Sequence, residues 1–326
     1  AYFVRNGSRM MVPGAWWRAR LDGLLGQLDQ RSDAAELLER VHHYSKGRGP
    51  FALPASAGRP RCRLRGRKHN YHLDLTEYLR YFDPQLRVSF RFGDQTVVPE
   101  VPTLVKARPI DGPNENSILF KLNKVRHFVF VRDTRSFDEK EDRLVWRGAA
   151  QRPNRRRFLA CWHGHPLCDV GDVSSRDTNR IWRKPYMSIA EQLRYKFVLS
   201  LEGNDVASNL KWILSSNSLC LMPRPRFETW FMEGQLVAGH HYVQVRDDFA
   251  DVEEKVRYYS RHLDEARWIV RNAQAHVARF ADRGAEDLVA LLVLQEYFER
   301  SGQLAPRESP VVARLRPAAA RAPVPA

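Results

Sequence analysis

The chain has 326 residues, 43% of them hydrophobic and 28% charged, which is enough to bury a sizeable core in two domains and excludes a mini-protein. Lysine and arginine number 53 against 38 aspartates and glutamates, and the formal net charge of +15 favours anionic partners: nucleic acid, phosphorylated glycans, nucleotide sugars or membrane surfaces. The 4 cysteines, Cys62, Cys161, Cys168 and Cys220, are too scattered for a disulfide framework, so reduced thiols and a cytosolic site are expected. No stretch approaches the roughly 18 apolar residues of a membrane-spanning helix, and the start lacks the apolar core of a secretory signal.

In chain order, residues 2–20 mix Trp16 and Trp17 with Arg18 and Arg20, a composition suited to a membrane interface, although an ordinary packed segment is the favoured reading. Leucines spaced by three and four predict helix over 15–44, followed by a loop over 47–58. Arginine then falls at Arg59, Arg61, Arg63, Arg65 and Arg67. As a strand, 59–68 would carry all five on one face, able to hold phosphates or simply to guard a sheet edge. A short helix over 73–82 precedes a strand over 86–92 that runs into Gly93 and Asp94, setting a carboxylate where open α/β sheets bind ligands. A strand is expected over 128–131, and the charged stretch 138–143 reads as an interdomain linker.

The pattern restarts with a strand over 144–146 leading into Arg147 and Gly148. Beyond it come a helix over 189–195, a strand over 196–201, a turn at 202–205 and a helix over 207–215. Strand, glycine-containing turn and helix is a phosphate-binding order, because free N–H groups at a helix start favour an anion. Strands over 218–222 and 242–245, a helix over 228–234 and amphipathic helices over 252–259, 264–280 and 285–300 complete the alternation, which argues for parallel sheets covered by helices. The Ala/Pro/Arg tail over 305–326 cannot bury enough apolar surface to order itself.

The chain lacks G-x-x-x-x-G-K-[ST], G-x-G-x-x-G, G-x-S-x-G and H-E-x-x-H, so nucleoside triphosphatases, dinucleotide enzymes, serine hydrolases and zinc proteases lose their signals. It also lacks Asp-x-Asp, so a diphosphate would be neutralised by arginine, lysine and helix starts rather than by a metal. Cys161, His163, His165 and Cys168 could form a zinc site, but no second Cys-x-x-Cys supports the spacing and a structural turn is the better reading. The remaining candidates, Asp94, Arg147 with Gly148, and the stretch from Glu202 to Lys211, suit sugar transfer: a carboxylate takes the acceptor proton while cations stabilise a departing diphosphate.

Long, ordered segments sharpen this reading. Residues 93–99 (Gly-Asp-Gln-Thr-Val-Val-Pro), 105–110, 123–128, 144–148, 195–212 and 228–231 resemble the motifs of the CAP10 or LpsA-type glycosyltransferases, glycosyltransferase family 90, over roughly residues 70 to 300. The resemblance implies an α/β fold of GT-B type, two Rossmann-like domains facing across a cleft. It places an acceptor-side domain at 1–137, a nucleotide-sugar domain at 138–284 and a helix packing back on the body at 285–304. It implies Asp94 as the catalytic base and puts Arg147, Gly148, Arg155, Gly203, Asn204, Asp205, Ala207, Ser208, Asn209 and Lys211 at the donor. Glu228 either pairs with the donor ribose or begins its helix. Lys106, Arg108 and Arg126 fall on the acceptor or phosphate side. Glu202 and Asn209 stand where the family's donor loop carries arginines, a departure that bears on donor identity.

The expected activity is therefore an inverting, metal-independent glycosyltransferase, moving a hexose from a UDP-sugar to a lipopolysaccharide core or related anionic surface glycan. No cofactor beyond the donor substrate is expected, and the place of action is the cytoplasmic side of an anionic inner membrane, as a peripheral protein. Alternatives are a protein O-glycosyltransferase, a pseudoenzyme, and, from another class, a basic nucleic-acid-binding module. That last reading has the arginine stripe in its favour and no recognised nucleic-acid motif.

Overall fold

A computed structural model describes residues 11–59, 69–174 and 180–308. Residues 1–10, the stripe arginines Arg61, Arg63, Arg65 and Arg67 with Cys62, and the tail from 309 onward lie outside the described residues. The chain divides into two compact units, the first ending at Lys124 and resuming at Asp282, the second running Val125–Ala281. The division thus falls earlier than the charged stretch at 138–143, whose last residues open a strand, and the C-terminal helix belongs to the first unit.

The first unit begins with three helices where periodicity alone reads one: α1 (Gly14–Arg18), α2 (Leu21–Gly26) and α3 (Ala34–Tyr44). A tight turn at Gln27–Gln30 and an extended Arg31 interrupt the run. Arg31 is fixed by ion pairs to Asp33 at 2.7 Å and Asp282 at 3.0 Å. Arg59 of the predicted stripe donates to the carbonyl of Phe82 at 3.2 Å, so it binds backbone rather than phosphate. Helix α4 (His69–Leu79) follows, then β1 (Thr103–Val105), β2 (Ala107–Pro109) and β3 (Ser117–Leu119). β1 and β3 pair in parallel with Leu104 opposite Ile118, while the predicted strand over 86–92 contributes only isolated bridges, Val88 to Gly58 and Phe90 to Leu104. Within this unit the described sheet is therefore smaller than the Rossmann-like domain the resemblance implies.

After the short α5 (Lys124–His127), the predicted strand over 128–131 does not form. The second unit then alternates β4 (Glu141–Gly148), α6 (Pro153–Trp162), β5 (Cys168–Asp172), α7 (Ile189–Gln192), β6 (Tyr195–Leu199), α8 (Leu210–Leu214) and β7 (Leu219–Met222). β8 (Phe227–Thr229), β9 (Val243–Gln244), α9 (Val252–Arg261) and α10 (Leu263–Ala278) complete it. The helix expected over 228–234 is instead β8 and a short turn, with Met232 in the left-handed region at φ 59°. One five-stranded sheet has the order β5-β4-β6-β7-β9, all parallel, so the winding reverses between β4 and β6. Both faces of such a sheet are covered. That is why β7 reads as an unbroken apolar run and β6 as one broken only by Lys196, with Phe197, Leu199, Leu219 and Leu221 inside the core. Each such side chain contributes about 1.5–3 kcal/mol by leaving water.

Helix α11 (Arg283–Arg300) returns to the first unit, its start capped by the Asp282 carboxylate accepting from the N–H of Gly284 at 2.8 Å. Its Glu286 is buried against Arg40 and Lys121, and burial pulls the Lys121 ammonium below its ordinary range despite that partner. No helix of the described residues is long and apolar enough to cross a membrane. Removing one member of a buried charge group leaves the others uncompensated, so Glu286→Ala should cost about 3–5 kcal/mol of stability in urea unfolding. An unchanged midpoint would show that the triad holds nothing together.

Candidate active site

Open α/β sheets bind ligands beyond the carboxyl ends of their strands, where the winding reverses. In the second unit a cavity of about 270 Å³ lies at that end. It is lined by Ser200 after β6, Met222 and Pro223 at the end of β7, Asn154 and Arg157 of α6, and Arg224 and Arg226. Arg155 stands behind it. Its guanidinium donates to the carbonyls of Leu201 at 2.8 Å, Glu202 at 3.2 Å and Ala149 at 3.2 Å, and lies over the Trp146 ring at 5.8 Å. Burial, with Arg126 and Arg152 nearby, pulls its pKa down to about 10, so it remains a cation at neutral pH. The buried Asp172 ends β5 and accepts from the N–H of Ala150 at 3.2 Å and of Ser174 at 2.8 Å, fixing the loop after β4.

The donor residues expected from sequence divide sharply in this geometry. Gly148 is required sterically, because a Cβ there would meet the Trp146 ring at 2.6 Å. The N–H of Gly203 donates to the carbonyl of the buried Asp205 at 2.9 Å, closing the turn that exposes Asn204. Ala207 lines the cavity and Ser208 is half-buried beside it in sequence. Asn209 ties the turn to the strand, its amide donating to the carbonyl of Leu199 at 2.9 Å. Glu202 does not leave a gap in the loop. Its carboxylate accepts from the N–H groups of Arg226 at 2.9 Å and Phe227 at 3.2 Å.

Two expected cations turn out to be engaged in the protein itself. Arg147 donates to Asp169 Oδ1 at 2.8 Å and to the carbonyls of Asp169 at 2.7 Å, Trp146 at 3.1 Å and Pro185 at 3.1 Å. Lys211 is fully buried, ion-paired with Glu233, and its ammonium sits 5.2 Å from the Phe231 ring. The reason is topological: α8 packs into the core, so its charged residue must carry a buried partner. Glu228 is buried on β8 rather than at a helix start.

In the first unit, Gly93 at φ 115° turns the chain into Asp94. Lys106, buried, and the Tyr71 hydroxyl at 3.1 Å both bond Asp94 Oδ1, while the Asp94 side chain remains 21% exposed. Asn123 supports Tyr71 from behind at 3.4 Å. Arg108 is fully buried and donates to the carbonyls of Tyr44 at 3.2 Å, Ser117 at 3.1 Å and His43, so it is a structural pin and not a phosphate contact. Arg126, in the second unit, is exposed.

Sequence reasoning missed Asn154, Arg157, Arg224 and Arg226. The available signal was Pro-Arg-Pro-Arg directly after the apolar run of β7, at a strand's carboxyl end. The Cys161 to Cys168 cluster is the end of α6 and the start of β5, with Cys161 exposed and the Cys168 thiol pushed by burial to about 12. Among the described residues no three His, Cys, Asp or Glu side chains are placed to hold a metal ion.

Two stability measurements test these assignments. Lys211→Met should cost about 3–5 kcal/mol, because Glu233 is then buried without its cation, and adding Glu233→Gln should recover much of that loss; losses that simply add would remove the ion-pair account. Burial opposes ionisation of Asp169, but bonds from Lys184, Tyr195 and Arg147 outweigh it and hold the carboxyl well below the ordinary range. A depressed carboxylate contributes stability that is present above about pH 4 and lost as pH falls further. The Tm gap between the parent chain and Asp169→Asn should therefore be wide at pH 7 and narrow towards pH 3, and a constant gap contradicts the assignment.

Similarity to known proteins identifies the class of reaction. The pattern of glycosyl transferase family 90 matches residues 122–298, which takes in the whole second unit. The chain is 46% identical over 299 residues to the O-glucosyltransferase LpsA of Dichelobacter nodosus, covering 91% of this chain and 94% of that protein. It is 23% identical over 171 residues to Protein O-glucosyltransferase 3 of Homo sapiens, covering 51% of this chain and 33% of that one, and the Rattus norvegicus protein of the same name matches over the same length. The chain belongs to glycosyl transferase family 90 and is a glycosyltransferase.

Proposed function

We propose that this glycosyltransferase moves a hexose, glucose first among the candidates, from a UDP-sugar to a hydroxyl of a lipopolysaccharide core or related anionic surface glycan, with inversion at the anomeric carbon. The observation that carries the donor half is the second-unit cavity, with Arg157, Arg224 and Arg226 in its wall and the Arg155 cation behind it. A diphosphate has two charges to place, and arginine forks match phosphate oxygens. The name of the relative at 46% identity favours O-linked glucose. The shorter, weaker match to the protein-glucosylating relative makes a protein acceptor the second choice.

In this reading Asp94 is the base. The acceptor hydroxyl gives its proton to the Asp94 carboxylate as its oxygen bonds to the anomeric carbon from the face opposite UDP. The bond to the diphosphate oxygen breaks, and UDP leaves with the electron pair, its developing charge stabilised by the cavity arginines. Lys106 and Tyr71 position the carboxylate through Oδ1. The two-domain GT-B architecture, independence from divalent metal and peripheral attachment to an anionic inner membrane belong to the same proposal, the last supported by the net charge of +15.

Asp94→Asn should lower kcat about 10²- to 10⁴-fold in transfer from UDP-glucose, with UDP affinity retained in isothermal titration. Near-normal turnover would remove Asp94 from the mechanism. Run in excess EDTA, the same assay should lose little, and a complete loss that manganese restores would overturn the metal-independent part.

A further inference from the structure

We infer that Arg226 is the principal phosphate contact of the second-unit cavity and that Glu202 is the positioning residue that aims it, an inference resting on the donor-binding reading above. A carboxylate beside a site for a diphosphate is unfavourable unless it is spoken for. Glu202 is: its Oε1 accepts from the backbone N–H of Arg226 at 2.9 Å and of Phe227 at 3.2 Å, and its Oε2 accepts from Arg226 Nε at 2.9 Å. Glu202 is itself anchored, since its carbonyl receives Asn154 Nδ2 at 3.1 Å and Arg155 Nε at 3.2 Å.

The pairing consumes only one edge of the guanidinium. The two terminal nitrogens of Arg226 donate to no described residue, and its side chain is 65% exposed against 16% for Glu202. Both residues line the cavity. A guanidinium gripped at Nε has lost most of its rotational freedom while keeping a two-pronged edge for phosphate oxygens, which lowers the ordering cost of binding. Arg157, by contrast, spends a terminal nitrogen on the carbonyl of Asp247 at 3.4 Å.

The test is isothermal titration of UDP into the full chain, with Tm recorded for every variant. Arg226→Ala should weaken UDP about 10- to 100-fold, the range expected for lost charged hydrogen bonds, and Arg226→Lys should recover little, because an ammonium cannot present the fork. Glu202→Gln should weaken UDP less and raise the donor KM without lowering kcat at saturation. In the Arg226→Ala background the same change should instead tighten UDP, because Glu202 is then an unmatched anion beside the ligand, and a coupling of that sign is not produced by a merely structural residue. Further weakening in that background would overturn the positioning role. Unchanged affinity in Arg226→Ala together with a loss in Arg157→Ala would overturn the inference while leaving the donor site in place. Unchanged affinity in both would overturn the donor site itself.

Discussion

The second unit depends on one guanidinium placed where its sheet reverses direction. Arg155 reaches from the first turn of α6 to the carbonyl of Ala149 after β4 and to those of Leu201 and Glu202 after β6. These are the two loops that part company at the switch between neighbouring strands. Each bond from a charged donor is worth about 1.5–3 kcal/mol net, and the alternative, loose carbonyls at a strand end, would leave the loops free to splay. Among the described residues no carboxylate answers this cation. Backbone dipoles hold it, and its positive charge is not cancelled.

That choice explains the electrostatics of the unit. Where a cation is needed for packing, the fold supplies an anion: Glu233 for Lys211, Asp169 for Arg147. Where the loops meet the cavity, it uses carbonyls for Arg155 and leaves Arg226 with only one guanidinium nitrogen engaged by a carboxylate. The cavity wall, with Arg157, Arg224 and Arg226 in it and Arg155 held by carbonyls alone, is therefore rich in cations. The excess charge of the whole chain, +15, is a poor guide to it, since many of the basic residues are committed elsewhere.

This also sets what could be read in advance. Largely apolar runs announced β6 and β7, Lys196 being the one charged residue among them, and strand-helix alternation announced a parallel sheet, because burial on both faces leaves a compositional mark. β5 left none: Cys168, Asp169 and Gly171 look like turn chemistry, and the strand is recognisable only through its register with Leu144 to Gly148. β1 and β3 are three residues each, shorter than any periodicity can show. The strand expected before Gly-Asp reduces to isolated bridges, and the turn at Gly93 leaves the Asp94 carboxylate 21% exposed beside Lys106. Lys211 and Arg108 misled because a one-dimensional pattern shows charge but not depth.

The segment after β7 shows how the missing part could be recovered by backbone argument. Proline fixes its own φ near −65° and pushes the residue before it out of the helical region, so Met222-Pro223-Arg224-Pro225 cannot continue as helix and is stiff in the unfolded chain as well. The whole segment from Met222 to Phe227 runs along the cavity, with Arg224 and Arg226 both in its wall. The prolines restrict the backbone that carries the two arginines, and Glu202 restricts the Arg226 side chain as well by gripping its backbone N–H and its Nε together. A carboxylate in the wall of a basic cavity is thus compatible with the proposed diphosphate site, because its charge is consumed in holding an arginine.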